Sequence, residues 1–266
     1  MRHELLDTNV IQAISNLVRA AGAAILEVYG RPGTVDVSSK GDDTPLTEAD
    51  LAAHRVLEAG LVNLLAGVPV VSEEDEASLE HRRPSGSFWL IDPLDGTKEF
   101  IARNGQFTVN VALVRDGFPV LGFVYAPVLD ELFVGGKGLG ARREKAGALS
   151  RITVAERRQG SPLRVVASRS HMNDATRAYL ARLGAHELVQ AGSSLKFCRV
   201  AEGAADCYPR IGPTAEWDTA AAQAVLEAAG GVVHDLRGER LRCGKPVNRN
   251  EGFVASAWPM PVVEVP

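Results

Sequence analysis

Two carboxylates, Asp92 and Asp95, stand at the end of an apolar run, where a fold has little structural use for charge. Phe88, Trp89, Leu90 and Ile91 read as a fully buried strand that runs directly into Asp92-Pro93-Leu94-Asp95-Gly96-Thr97. Pro93 and Gly96 predict a tight turn, with both acids projecting from one edge of it. Held close, the two repel each other, and burying either is costly unless a cation compensates. Carboxylates together with a backbone carbonyl, such as that of Leu94, form a hard oxygen donor set that suits Mg²⁺ better than Zn²⁺. The competing reading is a solvated acidic turn.

Further acids strengthen the first reading, although each has a plain structural explanation. Glu73 and Glu74 end a second short apolar run at residues 68–72, but Asp75 and Glu76 continue the charge, as in a hydrated loop. Asp218 precedes an alanine-rich stretch and reads as a helix N-cap. An N-capping carboxylate keeps one oxygen for a metal, and the helix start offers N–H groups to phosphate. Asp50 closes Thr47-Glu48-Ala49-Asp50, a capping-box pattern. Its functional reading is to share a water with the Thr97 hydroxyl and to orient or deprotonate it.

The elements that must position these groups follow from periodicity. Val10, Ile14, Leu17, Ala21 and Ile25 mark a helix stopped by Gly30 and Pro32. A second helix begins at Thr47 and carries Leu57, Leu61, Leu64 and Leu65, with a short strand or loop at 35–43 between the two. Alternation over 107–113, the turn Arg115-Asp116-Gly117 and runs at 119–125 and 131–135 predict an antiparallel meander. From about residue 160 strands (163–167, 186–190, 232–234, 253–255) alternate with helices (174–183, 194–202, 218–229). The pattern is α+β followed by α/β. It divides into an N-terminal part, 1–155, with most metal ligands, and a C-terminal part, 156–266, with Asp218 and the specificity residues. Gly135 to Gly140 lacks the spacing of a nucleotide loop and reads as a connection between strands.

The 266 residues carry a net charge of −4, so no basic field exists to hold a nucleic-acid duplex, although a small anion can still be bound locally. Three cysteines, Cys198, Cys207 and Cys243, have no metal spacing and are odd in number, which fits a reducing cytoplasm. The N-terminus lacks an apolar core of the signal-peptide kind, and no uninterrupted apolar run has the length of a membrane span. Peripheral contact with the inner membrane and assembly into a homodimer are both compatible with this composition.

Taken together, Thr47-Glu48-Ala49-Asp50, Glu73-Glu74, Asp92-Pro-Leu-Asp-Gly-Thr97 and Trp217-Asp-Thr-Ala-Ala221 resemble the motifs of the inositol monophosphatase superfamily, the lithium-sensitive, magnesium-dependent phosphatases. The match runs in order over residues 5–255. Lys98-Glu99-Phe100, Ser168-Arg-Ser-His171, Gly192-Ser-Ser-Leu-Lys-Phe-Cys198 and Tyr208-Pro-Arg-Ile-Gly-Pro-Thr-Ala-Glu-Trp-Asp218 look most like its bacterial 3′(2′),5′-bisphosphate nucleotidases. The resemblance implies a layered αβαβα sandwich and hydrolysis of adenosine 3′,5′-bisphosphate, a by-product of sulfate activation, to AMP and phosphate. By the same resemblance Glu73, Asp92, Asp95, Asp218 and the Leu94 carbonyl hold metal, and Asp50 and Thr97 handle the attacking water. Substrate contacts would fall on Glu73, Leu94, Asp95, Gly96, Thr97, Lys98 and Asp218. The implied mechanism is in-line attack by a metal-activated water, with two Mg²⁺ ions and a weaker third near Glu73.

Specificity is expected from the second half. Gly192, Ser193 and Ser194 before a helix form an anion-binding start, with Lys196 and Arg210 assigned to the 5′-phosphate and His171 to the base or ribose. Lys196 reads equally as an exposed helix lysine, and His171 as a loop residue without contacts. The pairs Arg82-Arg83, Arg142-Arg143 and Arg157-Arg158 read as solvated faces. The rival activities are inositol-1-phosphate and fructose-1,6-bisphosphate phosphatase, since a metal site alone does not choose the alcohol. A non-catalytic bisphosphate nucleotide sensor is disfavoured by the presence of Asp50, Thr97 and Asp218.

Overall fold

The apolar stripe of the first helix meets a sheet rather than water. A computed structural model of the chain describes residues 8–31, 37–39, 45–158, 160–167 and 173–262. Helix α1 (Thr8–Tyr29) buries Ile11, Ile14, Val18, Ala21, Ile25 and Val28. Among the described residues it is the one helix long and apolar enough to cross a membrane, yet this face is spent on protein. Strand β1 (Val37–Ser39), within the expected 35–43 segment, pairs antiparallel with β2 (Pro45–Thr47), and the rest of that segment lies outside the described residues. Helix α2 (Glu48–Leu61) starts from the capping box, but it ends at Leu61. Leu64 and Leu65, expected on the helix, lie in the turns after it and still pack on the core.

The meander forms a seven-stranded sheet in sequence order. Its strands are β3 (Val70–Ser72), β4 (Ser87–Asp95), β5 (Thr108–Arg115), β6 (Phe118–Ala126), β7 (Glu131–Gly136), β8 (Gly140–Lys145) and β9 (Ala148–Ile152). A turn of 3₁₀ helix (Glu76–His81) follows β3 and the short helix α3 (Thr97–Ile101) follows β4. Only the β3–β4 pair is parallel. The β5–β6 turn carries Asp116 and Gly117 at positive φ, the conformation a two-residue hairpin needs, and residues 137–139 connect β7 to β8.

The second sheet has the order β11-β10-β12-β14-β13, built from β10 (Leu163–Val166), β11 (His186–Val189), β12 (Cys207–Arg210), β13 (Val232–Asp235) and β14 (Phe253–Ser256). Helices α4 (Asp174–Leu183), α5 (Leu195–Ala201) and α6 (Trp217–Ala228) lie among these strands in sequence. Alternation decides the layers. Val166, Tyr208, Val233 and Phe253 join α5, α6 and the inner face of the first sheet in one core. Val165 and Cys207 face the other way, onto Leu180 of α4. On the far side of the first sheet, Trp89, Ile91, Val109 and Val111 pack against α1 and α2. The result is an αβαβα sandwich, and its middle layer is what matters for the site. Helix α6 approaches the first sheet closely because Gly122 faces it: a Cβ there would lie 2.0 Å from the Ala221 carbonyl oxygen.

Candidate active site

Strand β4 brings the first two acids into place differently from the expected turn. The strand continues through Asp95, and a bulge between Asp92 and Asp95 breaks its pairing with β5, where Asp92 opposes Asn110 and Asp95 opposes Thr108. A bulge re-aims side chains without ending the ladder, so both acids stay anchored in a central strand. Gly96 then turns the chain at φ 95 into α3. A Cβ there would crowd Glu99 Oε2 and Ser193 Cβ at 3.3 Å, so the position suits glycine twice over.

Four acids from three separated segments line one pocket of about 270 Å³: Glu73, Asp92, Asp95 and Asp218. The Leu94, Gly96, Thr97, Lys98, Ser193, Lys196 and Arg210 positions line it too; Asp50, Gly192 and Ser194 do not. Asp92 is only 1% exposed and shares a hydrogen bond with Glu73. Burial, then the charges of Glu73, Asp95 and Asp218, push its carboxyl well above the usual range. Asp218 is also raised, first by burial and then by Asp95 and Glu73, against the opposing Ala215 N–H and Arg210. Among the described residues no lysine or arginine forms a salt bridge with Asp92, Asp95 or Asp218.

Asp218 is not the N-cap: Glu216 holds that position, and Asp218 is the second residue of α6. Its Oδ2 accepts from the N–H of Ala215 at 2.9 Å, so it still ties down the helix entry. Glu216 itself is fully buried, accepting from the N–H groups of Gly244 and Lys245 at 2.8 and 3.0 Å and facing Arg82 and Lys245. Arg82 is thus no solvated residue but part of the buried anchor of α6. Sequence reasoning missed this anchor, since the partners are more than 100 residues apart in the chain for Arg82 and Glu216.

Asp50 performs its capping with one oxygen and meets the Thr97 hydroxyl with the other. Oδ2 accepts from the N–H and hydroxyl of Thr47 at 2.8 and 2.5 Å, while Oδ1 lies 3.4 Å from the Thr97 hydroxyl, which is also 3.5 Å from the Leu94 carbonyl. Lys196 is buried, 8% exposed, and donates to the Ser193 carbonyl at 2.7 Å over the Tyr208 ring. The exposed-lysine alternative is therefore excluded. Burial pulls its ammonium below the ordinary lysine range, opposed by Asp95 and Glu99. Arg210 ends β12 with its Nε buried and unpartnered and one Nη on the Pro213 carbonyl at 3.1 Å. His171 lies outside the described residues. Glu99, Phe197, Tyr208, Thr214 and Phe253 also line the pocket, and sequence reading assigned them no role there.

The donor chemistry fits a hard divalent cation: carboxylates are crowded together, Asp92 is buried, and among the described residues the three aspartates form no salt bridge with a lysine or arginine. Among the described residues no three such side chains already form a closed cage. They share a pocket and each other's field instead.

The model of the inositol monophosphatase family matches residues 6–261. This chain belongs to the inositol monophosphatase family. Among curated members, it is 50% identical to the 3′(2′),5′-bisphosphate nucleotidase CysQ of Escherichia coli over 232 residues, 87% of this chain and 93% of that one. It is 49% identical to the enzyme of the same name from Salmonella typhimurium over the same shares. The crystal structure of CysQ from Bacteroides thetaiotaomicron superposes with a TM-score of 0.81 at 40% identity, covering 94% of this chain and 97% of that one. Family membership at this coverage accounts for the sandwich and for both sheets.

The raised carboxyls of this family member dictate a pH dependence. A group whose pKa is higher folded than unfolded stabilises the fold below its unfolded value and loses that contribution as pH rises through its folded value. For Asp92 and Asp218 the loss begins above the ordinary 3.8. The metal-free chain should therefore lose stability towards neutral pH, and a cation should return it. Thermal unfolding with and without Mg²⁺ should show a Tm rise at about pH 8 that shrinks towards about pH 5. A rise of equal size at both would contradict the assignment.

Proposed function

We propose that this chain is a Mg²⁺-dependent 3′(2′),5′-bisphosphate nucleotidase that converts adenosine 3′,5′-bisphosphate to AMP and phosphate in the cytoplasm. The observation that carries the reading is the convergence of Glu73, Asp92, Asp95 and Asp218 on one pocket, where among the described residues the three aspartates have no lysine or arginine in a salt bridge. Near-50% identity to CysQ enzymes supports the choice of substrate. Three buried, unpaired cysteines suit the compartment.

Glu73, Asp92, Asp95, Asp218 and the Leu94 carbonyl would hold the cations, two of them with a weaker third beside Glu73. When bound there, Mg²⁺ supplies positive charge for phosphoryl oxygens and acidifies water. The chain's own residues do the rest. Thr97 donates its hydroxyl proton to Asp50 Oδ1, which turns a Thr97 lone pair outward to accept from the attacking water. Asp50 is then placed to receive the proton through Thr97. The N–H groups of Gly96 and Thr97 meet the phosphoryl oxygens, and Lys98 stands exposed at the rim. Residues up to about 155 supply most of the metal side. Those beyond supply Asp218 and the face formed by Arg210, Tyr208 and Phe253, against which the second phosphate and the base are bound.

A panel of adenosine 3′,5′-bisphosphate, inositol 1-phosphate and fructose 1,6-bisphosphate assayed with Mg²⁺ tests the substrate. The nucleotide should lead in kcat/KM by at least about tenfold. Equal rates, or a lead by either sugar phosphate, would reject the nucleotidase reading while leaving the metal site standing.

A further inference from the structure

Gly192-Ser193-Ser194 was expected to cradle a phosphate, yet both its hydroxyls and the Ser194 N–H are turned onto a carboxylate. Every hydrogen bond to the Asp95 carboxylate runs to one oxygen, Oδ2. The Ser193 hydroxyl donates at 2.5 Å, the Ser194 N–H at 2.6 Å and the Ser194 hydroxyl at 2.8 Å. Thr108 Oγ1 lies 2.5 Å from Ser193 Oγ. A hydroxyl has a single proton, and that of Ser193 goes to Asp95, so Thr108 must be the donor to Ser193. Thr108 Oγ1 and Asn110 Nδ2 also stand 3.4 Å from Asp95 Oδ2, so both lie in the same donor cluster around that oxygen.

Ser194 connects the carboxylate to α6. Its Oγ also stands 2.9 Å from the Asp218 carbonyl and accepts from Asn110 Nδ2 at 2.9 Å. Its one proton is therefore shared between a strand acid and the backbone of a helix acid. The loop is held in this pose at a cost: Ser193 sits at φ 50, where a non-glycine residue is strained by about 1 kcal/mol. The buried Lys196 ammonium holds the Ser193 carbonyl from behind.

We infer that Ser194, with Ser193 and Asn110, is a positioning residue that saturates one oxygen of Asp95 and ties that acid to the helix carrying Asp218. Oδ1 is left for the cation, and the strand and helix acids are presented as a pair. The inference rests on the metal reading above and deepens it. A carboxylate held by three short donors on one oxygen cannot swing to bind the ion through both, so its geometry is set before the ion arrives.

Calorimetric titration of Mg²⁺ into the metal-free chain tests this. Ser194→Ala should weaken Mg²⁺ binding by about tenfold or more, with KM for the nucleotide at saturating Mg²⁺ changed by less than about twofold. Asn110→Ala, which leaves the loop's own atoms intact, should act in the same direction and serves if Ser194→Ala does not fold. The effect should vanish when Ser194→Ala is combined with Asp95→Asn, because the residue acts through Asp95. Unchanged Mg²⁺ affinity with a raised KM would make Ser194 a substrate contact and overturn the inference. So would unchanged affinity with a lowered Tm alone. No Mg²⁺ uptake by the unsubstituted chain would overturn the metal reading and this inference with it, whereas equal uptake by both chains sinks only the latter.

Discussion

Asp95→Asn should lower kcat with Mg²⁺ by about a thousandfold or more, while the metal-free protein unfolds at the same temperature or a higher one. The size follows from which atom goes where. Ser193 and Ser194 need an acceptor at the Oδ2 position, so the new amide must place its oxygen there. Its NH₂ then replaces Oδ1 and presents hydrogens to the pocket. A cation loses not only a negative ligand but meets a donor in its place. Stability moves the other way, since Asp92 and Asp218 both feel the Asp95 charge as repulsion. Steady-state rates and thermal unfolding in a chelator measure the two arms. Activity within tenfold of the unsubstituted enzyme would remove Asp95 from the metal site.

Gly122→Ala should be costly although it adds a single methyl group. Its Cβ would sit 2.0 Å from the Ala221 carbonyl oxygen and 2.9 Å from Ala224 Cβ. Both belong to α6, and the closest atom is backbone, which no rotamer change can move. The helix must slide off the sheet or the strand must bend, at a cost of about 3 kcal/mol or more. For a chain of this size that lowers Tm by about 6–12 °C. Because α6 carries Asp218 near its start, the displacement should also weaken Mg²⁺ binding, although Gly122 touches no ligand. A Tm within about 2 °C of the parent would show that the helix seat is looser than this contact implies.

Much of the arrangement was legible because it rests on local signals. The strand into Asp92, the meander and its hairpin at Asp116-Gly117, the capping box at Thr47 and Asp50, and the late α/β alternation are all short-range patterns. Where the reading departed from the structure, distant contacts decided. Pro93 and Gly96 suggest a turn locally, but pairing with β5 keeps the chain extended as far as Asp95. Asp218 looks like an N-cap, yet Glu216 takes that position because Arg82 and Lys245, from other parts of the chain, neutralise it. Lys196 resembles a free helix lysine because the Tyr208 ring and the Ser193 carbonyl that enclose it come together only in the fold. The serines after Gly192 read as a phosphate cradle because nothing nearby in sequence announces that Asp95, about a hundred residues earlier, will take their donors.

Phosphate release from adenosine 3′,5′-bisphosphate, measured on chelator-stripped protein before and after Mg²⁺ is restored, reaches the heart of the matter. Acids that converge at the end of β4 to hold a catalytic cation require negligible release without the ion and full turnover once it returns. Turnover that persists in the stripped protein, or that Mg²⁺ fails to restore, would mean that these carboxylates serve some other chemistry.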